Sequence, residues 1–129
     1  MAGRYDKYDP ISGGFRAPLD ADVDAADTPV GVGLNSTGEV VVGAGQTGIV
    51  GVLWLSADKT AGTAVDVMTS GEMVEMTGLA AGKIVCADTT SGALDDVAAS
   101  ATKTPIGYTV EASRLIVRKG APTFDDAGA

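Results

Sequence analysis

Two pairs of adjacent carboxylates, Asp95-Asp96 and Asp125-Asp126, are the residues whose types and spacing could support chemistry. General acid–base catalysis needs carboxylates in different environments, so that one stays protonated while the other is ionised. Both pairs occur in turn-like or terminal stretches, where water solvates the two carboxylates alike. A calcium loop would need more oxygen ligands at regular spacing than either pair provides. The sequence therefore favours solvated acidic residues over an enzyme active site or a metal site.

Other reactive residue types lead to the same conclusion. The chain has no histidine, which removes the commonest general base and the commonest metal ligand. Cys86 is the only cysteine, so no disulfide can form within the chain. The apolar residues 84–87 around it predict a small buried side chain and not a nucleophile. We predict neither catalytic residues nor a cofactor.

Lys59 leaves one alternative open. It follows Ser56-Ala57-Asp58 in a polar turn, as the modified lysine of lipoyl and biotinyl carrier domains does at a hairpin tip. The match is short, and a lysine in a polar turn is ordinarily solvated, so we prefer solvation as the interpretation. An intact mass without a lipoyl or biotinyl increment would exclude a carrier module.

Composition predicts an all-β fold. Among 129 residues there are 18 glycines, and aromatic residues make up 5%; Val and Thr recur throughout, which favours short strands and tight turns over helices. The net charge of -8 repels nucleic acid and anionic lipid, so we expect neither as a partner. The start of the chain lacks the apolar core of a signal peptide, and no run reaches the length of a membrane span. We expect the protein to be made in the cytoplasm and to stay there, at least at first.

The spacing of turns predicts a small β-barrel or β-sandwich domain over residues 30–118, with a C-terminal tail over 119–129. Asp66 should face outward while Val65 and Val67 face inward. The most apolar stretch, 47–55, predicts a central strand, in which Ile49, Val50, Val52 and Trp54 serve as core or subunit interface. The turns between apolar stretches predict three hairpins: 30–34 with 39–42, 63–68 with 72–76, and 106–111 with 114–118.

Residues 1–29 differ from the rest and predict an extended N-terminal arm. They hold three of the five prolines and no apolar period. One interpretation is a disordered, solvated terminus. The other is an arm that orders on a partner, which we favour because aromatic and arginine side chains, the usual anchors of interfaces, are concentrated here. The predicted anchors are Tyr5, Tyr8, Phe15, Arg16 and Leu19.

Residues 63–118 resemble the capsid decoration, or cement, proteins of tailed bacteriophages. The matching features are the stretch VDVMTSGEMVEM, the step GLAAGKIV into a strand, the turn ADTTSGAL and the closing hairpin IGYTVEASRLIV. Their order and spacing are moderately specific, although each piece is common in β proteins. The resemblance covers a little under half of the chain, and residues 1–29 match no family.

The resemblance implies a β-barrel domain of the type called a β-tulip, and a non-enzymatic protein of the virion. Such proteins bind the outer surface of the shell formed by the major capsid protein, usually as homotrimers, and stabilise the head against internal DNA pressure. An N-terminal arm that reaches the shell or a neighbouring subunit is common among them. A fibre-base or other attachment protein built on the same barrel is the alternative. We expect decoration, because only residues 119–129 follow the last strand.

Overall fold

The computed structural model describes residues 13–119, which form an all-β structure of two five-stranded sheets. A 3-10 turn at Ala25–Asp27 is the single helical element of this range, and it is far too short to cross a bilayer. The strands are β1 (Gly14–Pro18), β2 (Val30–Leu34), β3 (Val40–Gly45), β4 (Gly51–Leu53), β5 (Ala64–Met68), β6 (Ser70–Met73), β7 (Ile84–Asp88), β8 (Leu94–Asp95), β9 (Lys103–Glu111) and β10 (Arg114–Arg118).

Sheet 1 has the strand order β1-β5-β4-β2-β3 and closes on itself. Leu19, directly after β1, forms a parallel bridge with Val40 of β3, and the Asp20 amide donates to the Val40 carbonyl at 2.9 Å. This bridge joins the two edges of the sheet into a small barrel. The barrel encloses a first core of buried aliphatic side chains: Leu19, Val23, Val30, Val32, Val40, Leu53, Leu55, Val65 and Val67.

Sheet 2 has the strand order β6-β10-β9-β7-β8 and packs against part of the outer face of the barrel. A second core fills the space between them, with Val52 and Ile49 on the barrel side. Sheet 2 contributes the inward-facing side chains Val85, Ala87, Ile106, Leu115 and Val117. The remaining outer face of the barrel, along β1 and β5, is not covered by sheet 2.

Two of the predicted hairpins are wrong. Strands β2 and β3 pair in parallel with an irregular register, so residues 30–42 do not form a hairpin. The chain passes from sheet 1 to sheet 2 at Thr69, because β5 pairs with β1 and β4 while β6 pairs with β10. The closing hairpin of β9 and β10 is present, and Val65 and Val67 are buried on either side of exposed Asp66.

The start of the described range is part of the barrel. Strand β1 pairs antiparallel with β5 from Gly14 to Pro18, and Leu19 is 1% exposed. A side chain buried in the chain's own core cannot anchor the chain to a partner, so Leu19 is not an anchor. Residues 14–27 of the predicted arm therefore contribute to the folded domain through β1, Leu19 and the 3-10 turn.

Candidate functional site: two exposed apolar surfaces

The carboxylates of Asp95 and Asp96, which could have supported chemistry, accept hydrogen bonds from backbone amides. Asp96 Oδ2 accepts a hydrogen bond from the Ala80 amide at 2.8 Å, and Asp95 Oδ1 accepts one from the Asp96 amide at 2.9 Å. Within residues 13–119 no three acidic or cysteine side chains gather as a metal site would require. Asp125 and Asp126 lie outside the described residues. The carboxylates described here thus have structural roles.

The contacts of Cys86 and Lys59 also indicate structural roles. Cys86 is fully buried, and its Sγ donates to the Val97 carbonyl at 3.3 Å. Burial, helped by the charge of Asp95, raises the pKa of this thiol, although Lys103 opposes the shift. The main chain of Lys59 pairs with that of Val23, with N–O distances of 2.9 and 3.0 Å, so Lys59 lies in a bridge between segments.

A row of apolar side chains crosses the outer face of sheet 2. Ile84 of β7 lies opposite Tyr108 of β9, and Tyr108 lies opposite Ile116 of β10. Val110 lies two residues further along β9. Ile84, Tyr108 and Val110 are 54%, 44% and 47% exposed. Side chains at such cross-strand positions are in mutual contact range, so these four residues form one surface, which we call the outer patch.

A β-bulge exposes the outer patch. The pairing of β9 with β7 passes from Pro105 opposite Cys86 to Gly107 opposite Val85, which leaves Ile106 as an extra residue. An extra residue reverses which face the following side chains occupy. Ile106 is therefore buried in the second core, whereas Tyr108 points outward.

The second exposed surface is a groove of about 920 Å³ beside the uncovered face of the barrel. It runs between β1, β4 and β5 of sheet 1 and the segment 70–76, which includes β6. Three of the four methionines of the chain, Met68, Met73 and Met76, line it, and we call it the methionine groove. Trp54, 58% exposed, and Val74, 62% exposed, also line it.

Polar residues line the same groove. Arg16 of β1 lies opposite Asp66 of β5 and forms a two-pronged ion pair with it, with nitrogen–oxygen distances of 2.9 and 3.2 Å. Lys59, Glu72 and Glu75 also line the groove. Glu72 also pairs with Arg114, so the groove combines an apolar, sulfur-rich lining with nearly balanced charges.

The structure brings only some of the predicted site residues together. Arg16, Val52 and Trp54 line the methionine groove. Ile49 and Val52 belong to the second core, and Val50 is half-buried. Trp54 is exposed and lies outside the core, so for Trp54 the alternative of a subunit interface stays a prediction. Half-buried Phe15 packs against the first core. Tyr5 and Tyr8 lie outside the described residues, so their predicted contact with a shell stays a prediction.

A solved structure from Mycobacterium phage Patience has a similar fold. The two structures match with a TM-score of 0.73 at 21% sequence identity, over 90% of this chain and 95% of the phage chain. No protein-family model matches the sequence, and a search of curated proteins found no relative. At this identity the likeness shows the fold alone. A phage protein thus has the all-β fold described here.

Proposed function

We propose that this protein is a decoration protein of a tailed-phage virion. It binds the outer surface of the major capsid protein shell as a homotrimer and stabilises the head against internal DNA pressure. The observation that supports the proposal most is the fold shared with a phage protein over nearly the full length of both chains. The sequence features of residues 63–118, which resemble decoration proteins, support it independently.

The outer patch is the surface we assign to the shell. Single exposed apolar side chains are common on proteins, but a contiguous row on a rigid sheet is typical of a binding surface. Tyr108 lies at the centre of this row and has Ile84 and Ile116 on either side. Large aromatic side chains at the centre of an interface contribute most to binding.

Arg114 fixes the edge of this surface. Its Nε donates to Glu72 Oε2 at 2.7 Å, and its Nη1 lies 3.3 Å from Glu111 Oε1. These ion pairs connect β6, β9 and β10 beside Ile116, in a sheet whose shape is fixed by backbone pairing of the strands. A rigid surface loses little conformational entropy on binding.

Co-sedimentation with expanded, undecorated shells of the cognate phage tests the proposal. We expect the protein to pellet with the shells, and a map of the particle to show trimeric knobs on the outer surface. Tyr108→Ala should weaken binding at least about tenfold, as expected for a central aromatic contact. If the folded parent protein does not bind shells, a fibre-base or other attachment role replaces decoration.

A matched pair of valines provides the control. Val110 in the outer patch and Val42 on β3 are both exposed strand residues, at 47% and 42%. Val110→Ser should weaken shell binding, whereas Val42→Ser should leave it unchanged. Equal binding by both variants would exclude the outer patch as the contact surface. Sedimentation that shows a monomer at all concentrations, on and off shells, would contradict the homotrimer.

A further inference from the structure

We infer that residues 1–12 of the same chain occupy the methionine groove in the free protein. The predicted arm would thus have a site on its own domain, made of Met68, Met73, Met76 and Trp54. This inference concerns the free protein and goes beyond the proposed function, on which it does not depend.

Gly13 fixes where residues 1–12 begin relative to the groove, because it directly follows them and lines the groove. The Gly13 carbonyl accepts hydrogen bonds from the amides of Thr69 and Ser70 at 2.7 and 3.0 Å. A Cβ at residue 13 would lie 1.8 Å from the Ser70 carbonyl oxygen, and the φ of +102° also disfavours other residues. Glycine is therefore required, and the segment starts from a fixed point on the rim of the groove. Twelve extended residues reach about 40 Å, enough to follow the groove.

The chemistry of the segment matches the lining. Residues 1–12 include Tyr5, Tyr8 and Ile11, and so hold two of the three tyrosines of the chain. Methionine side chains adapt to irregular shapes and make favourable contacts between sulfur and aromatic rings. Trp54 and Val74 add apolar surface to the groove, and each of these residues is more than half exposed. An aromatic segment attached at the rim is the occupant that this lining favours.

Charge does not oppose this segment. Residues 1–12 contain two basic residues, Arg4 and Lys7, and two acidic ones, Asp6 and Asp9, so they are neutral and the rest of the chain carries the whole net charge of -8. The groove is lined by three carboxylates against two cations, Arg16 and Lys59. Its carboxylates are Asp66, Glu72 and Glu75. Glu72 also pairs with Arg114, so the charges around the groove balance and charge does not oppose entry of the neutral segment.

The tether favours occupation by the same chain. A short flexible connection gives a linked segment an effective concentration on the order of millimolar. A contact with a dissociation constant below that range keeps the groove mostly filled. A second copy of the chain at micromolar concentration competes poorly against it.

Trp54 reports on the occupant, because it is the only tryptophan of the chain. Acrylamide quenching of its fluorescence is measured on the full chain, on the triple variant Tyr5→Ser/Tyr8→Ser/Ile11→Ser, and on a chain that lacks residues 1–12. Phe124→Ser, which removes an aromatic residue near the other end of the chain, is the matched control. Far-UV circular dichroism establishes that each variant is folded.

We expect weak quenching in the full chain and in Phe124→Ser, at every protein concentration. In the triple variant and in the shortened chain, the quenching constant should rise towards that of N-acetyltryptophanamide. Equal quenching in all four proteins, whether strong or weak, would overturn the inference. Protection that appears only at high concentration, together with a larger sedimenting species, would show that a second copy fills the groove and would equally overturn it.

Discussion

Gly31 of β2 and Ala87 of β7 lie at a close approach between the barrel and sheet 2. A Cβ on residue 31 would lie 2.4 Å from the Ala87 Cβ, well inside van der Waals contact. The Gly31 amide also donates to the Gly92 carbonyl at 2.7 Å. The second core can therefore close around Ile49 only if residue 31 has no side chain.

Gly31→Ala should lower the free energy of unfolding by about 1–3 kcal/mol, because a methyl group would overpack this contact. Urea denaturation followed by circular dichroism measures the change. Ala87→Gly in the same chain should restore part of the loss, since it removes the opposing Cβ. If the double variant is as unstable as the sum of the single variants, the contact between residues 31 and 87 is not the cause.

Asn35 organises the turn between β2 and β3. Its Oδ1 accepts hydrogen bonds from the amides of Thr37 and Glu39 at 3.0 and 2.9 Å, and its Nδ2 donates to Asp20 Oδ1 at 3.2 Å. Asn35→Ala should destabilise the fold by about 1–3 kcal/mol, because it leaves polar groups without partners. Ser36→Ala, at an exposed position of the same turn, is the control. Equal urea midpoints for the two variants would contradict this role.

Local patterns predicted the parts of the fold that depend on alternation and turns. Val65 and Val67 are buried beside exposed Asp66, as a strand with one buried face requires. The short polar turn at 112–113 predicted the closing hairpin, because two compatible strands joined by two residues pair with each other. The apolar surroundings of Cys86 predicted its burial.

The remaining features depend on contacts that the sequence does not show. Ile106, Tyr108 and Val110 alternate regularly, which places all three on one face, but the bulge at Ile106 turns Tyr108 and Val110 to the outer patch. Gly107 is the one local signal of this bulge. The change of sheet at Thr69 has no local signal, because β5 and β6 each look like ordinary partners. Both exposed surfaces therefore appear only once the strands are paired.

The Cys86 thiol should resist modification in the folded protein. It is fully buried, and burial raises its pKa, so little reactive thiolate is available to solvent. Ellman's reagent should release no colour within minutes from the native protein and one equivalent per chain in concentrated urea. Reaction of the native protein at the rate seen in urea would contradict the placement of Cys86 beneath residues 95–97.

The contacts of the Asp88 carboxylate predict how the stability of the fold depends on pH. Its carboxylate accepts hydrogen bonds from the amides of Ser91 and Thr90 at 2.9 and 2.8 Å, and Lys103 Nζ lies 3.2 Å from Oδ2. These contacts lower the pKa of Asp88 from 3.8 to about 2, with the largest effect from the Ser91 amide, followed by the Thr90 amide and Lys103. Because the folded state favours the ionised form, Asp88 stabilises the fold above its ordinary pKa. That stability is lost as the pH falls from 3.8 towards 2.

Asp88→Asn should therefore lower the urea midpoint at about pH 5 and change it much less near pH 2, where the parent carboxylate is becoming protonated as well. Urea denaturation at a series of pH values measures this difference. Asp24→Asn is the control, because the Asp24 side chain makes no capping hydrogen bond to the 3-10 turn that follows it. A loss in Asp88→Asn that is equally large at both pH values would mean that the amide fails to fit the turn, and that charge at residue 88 contributes no stability.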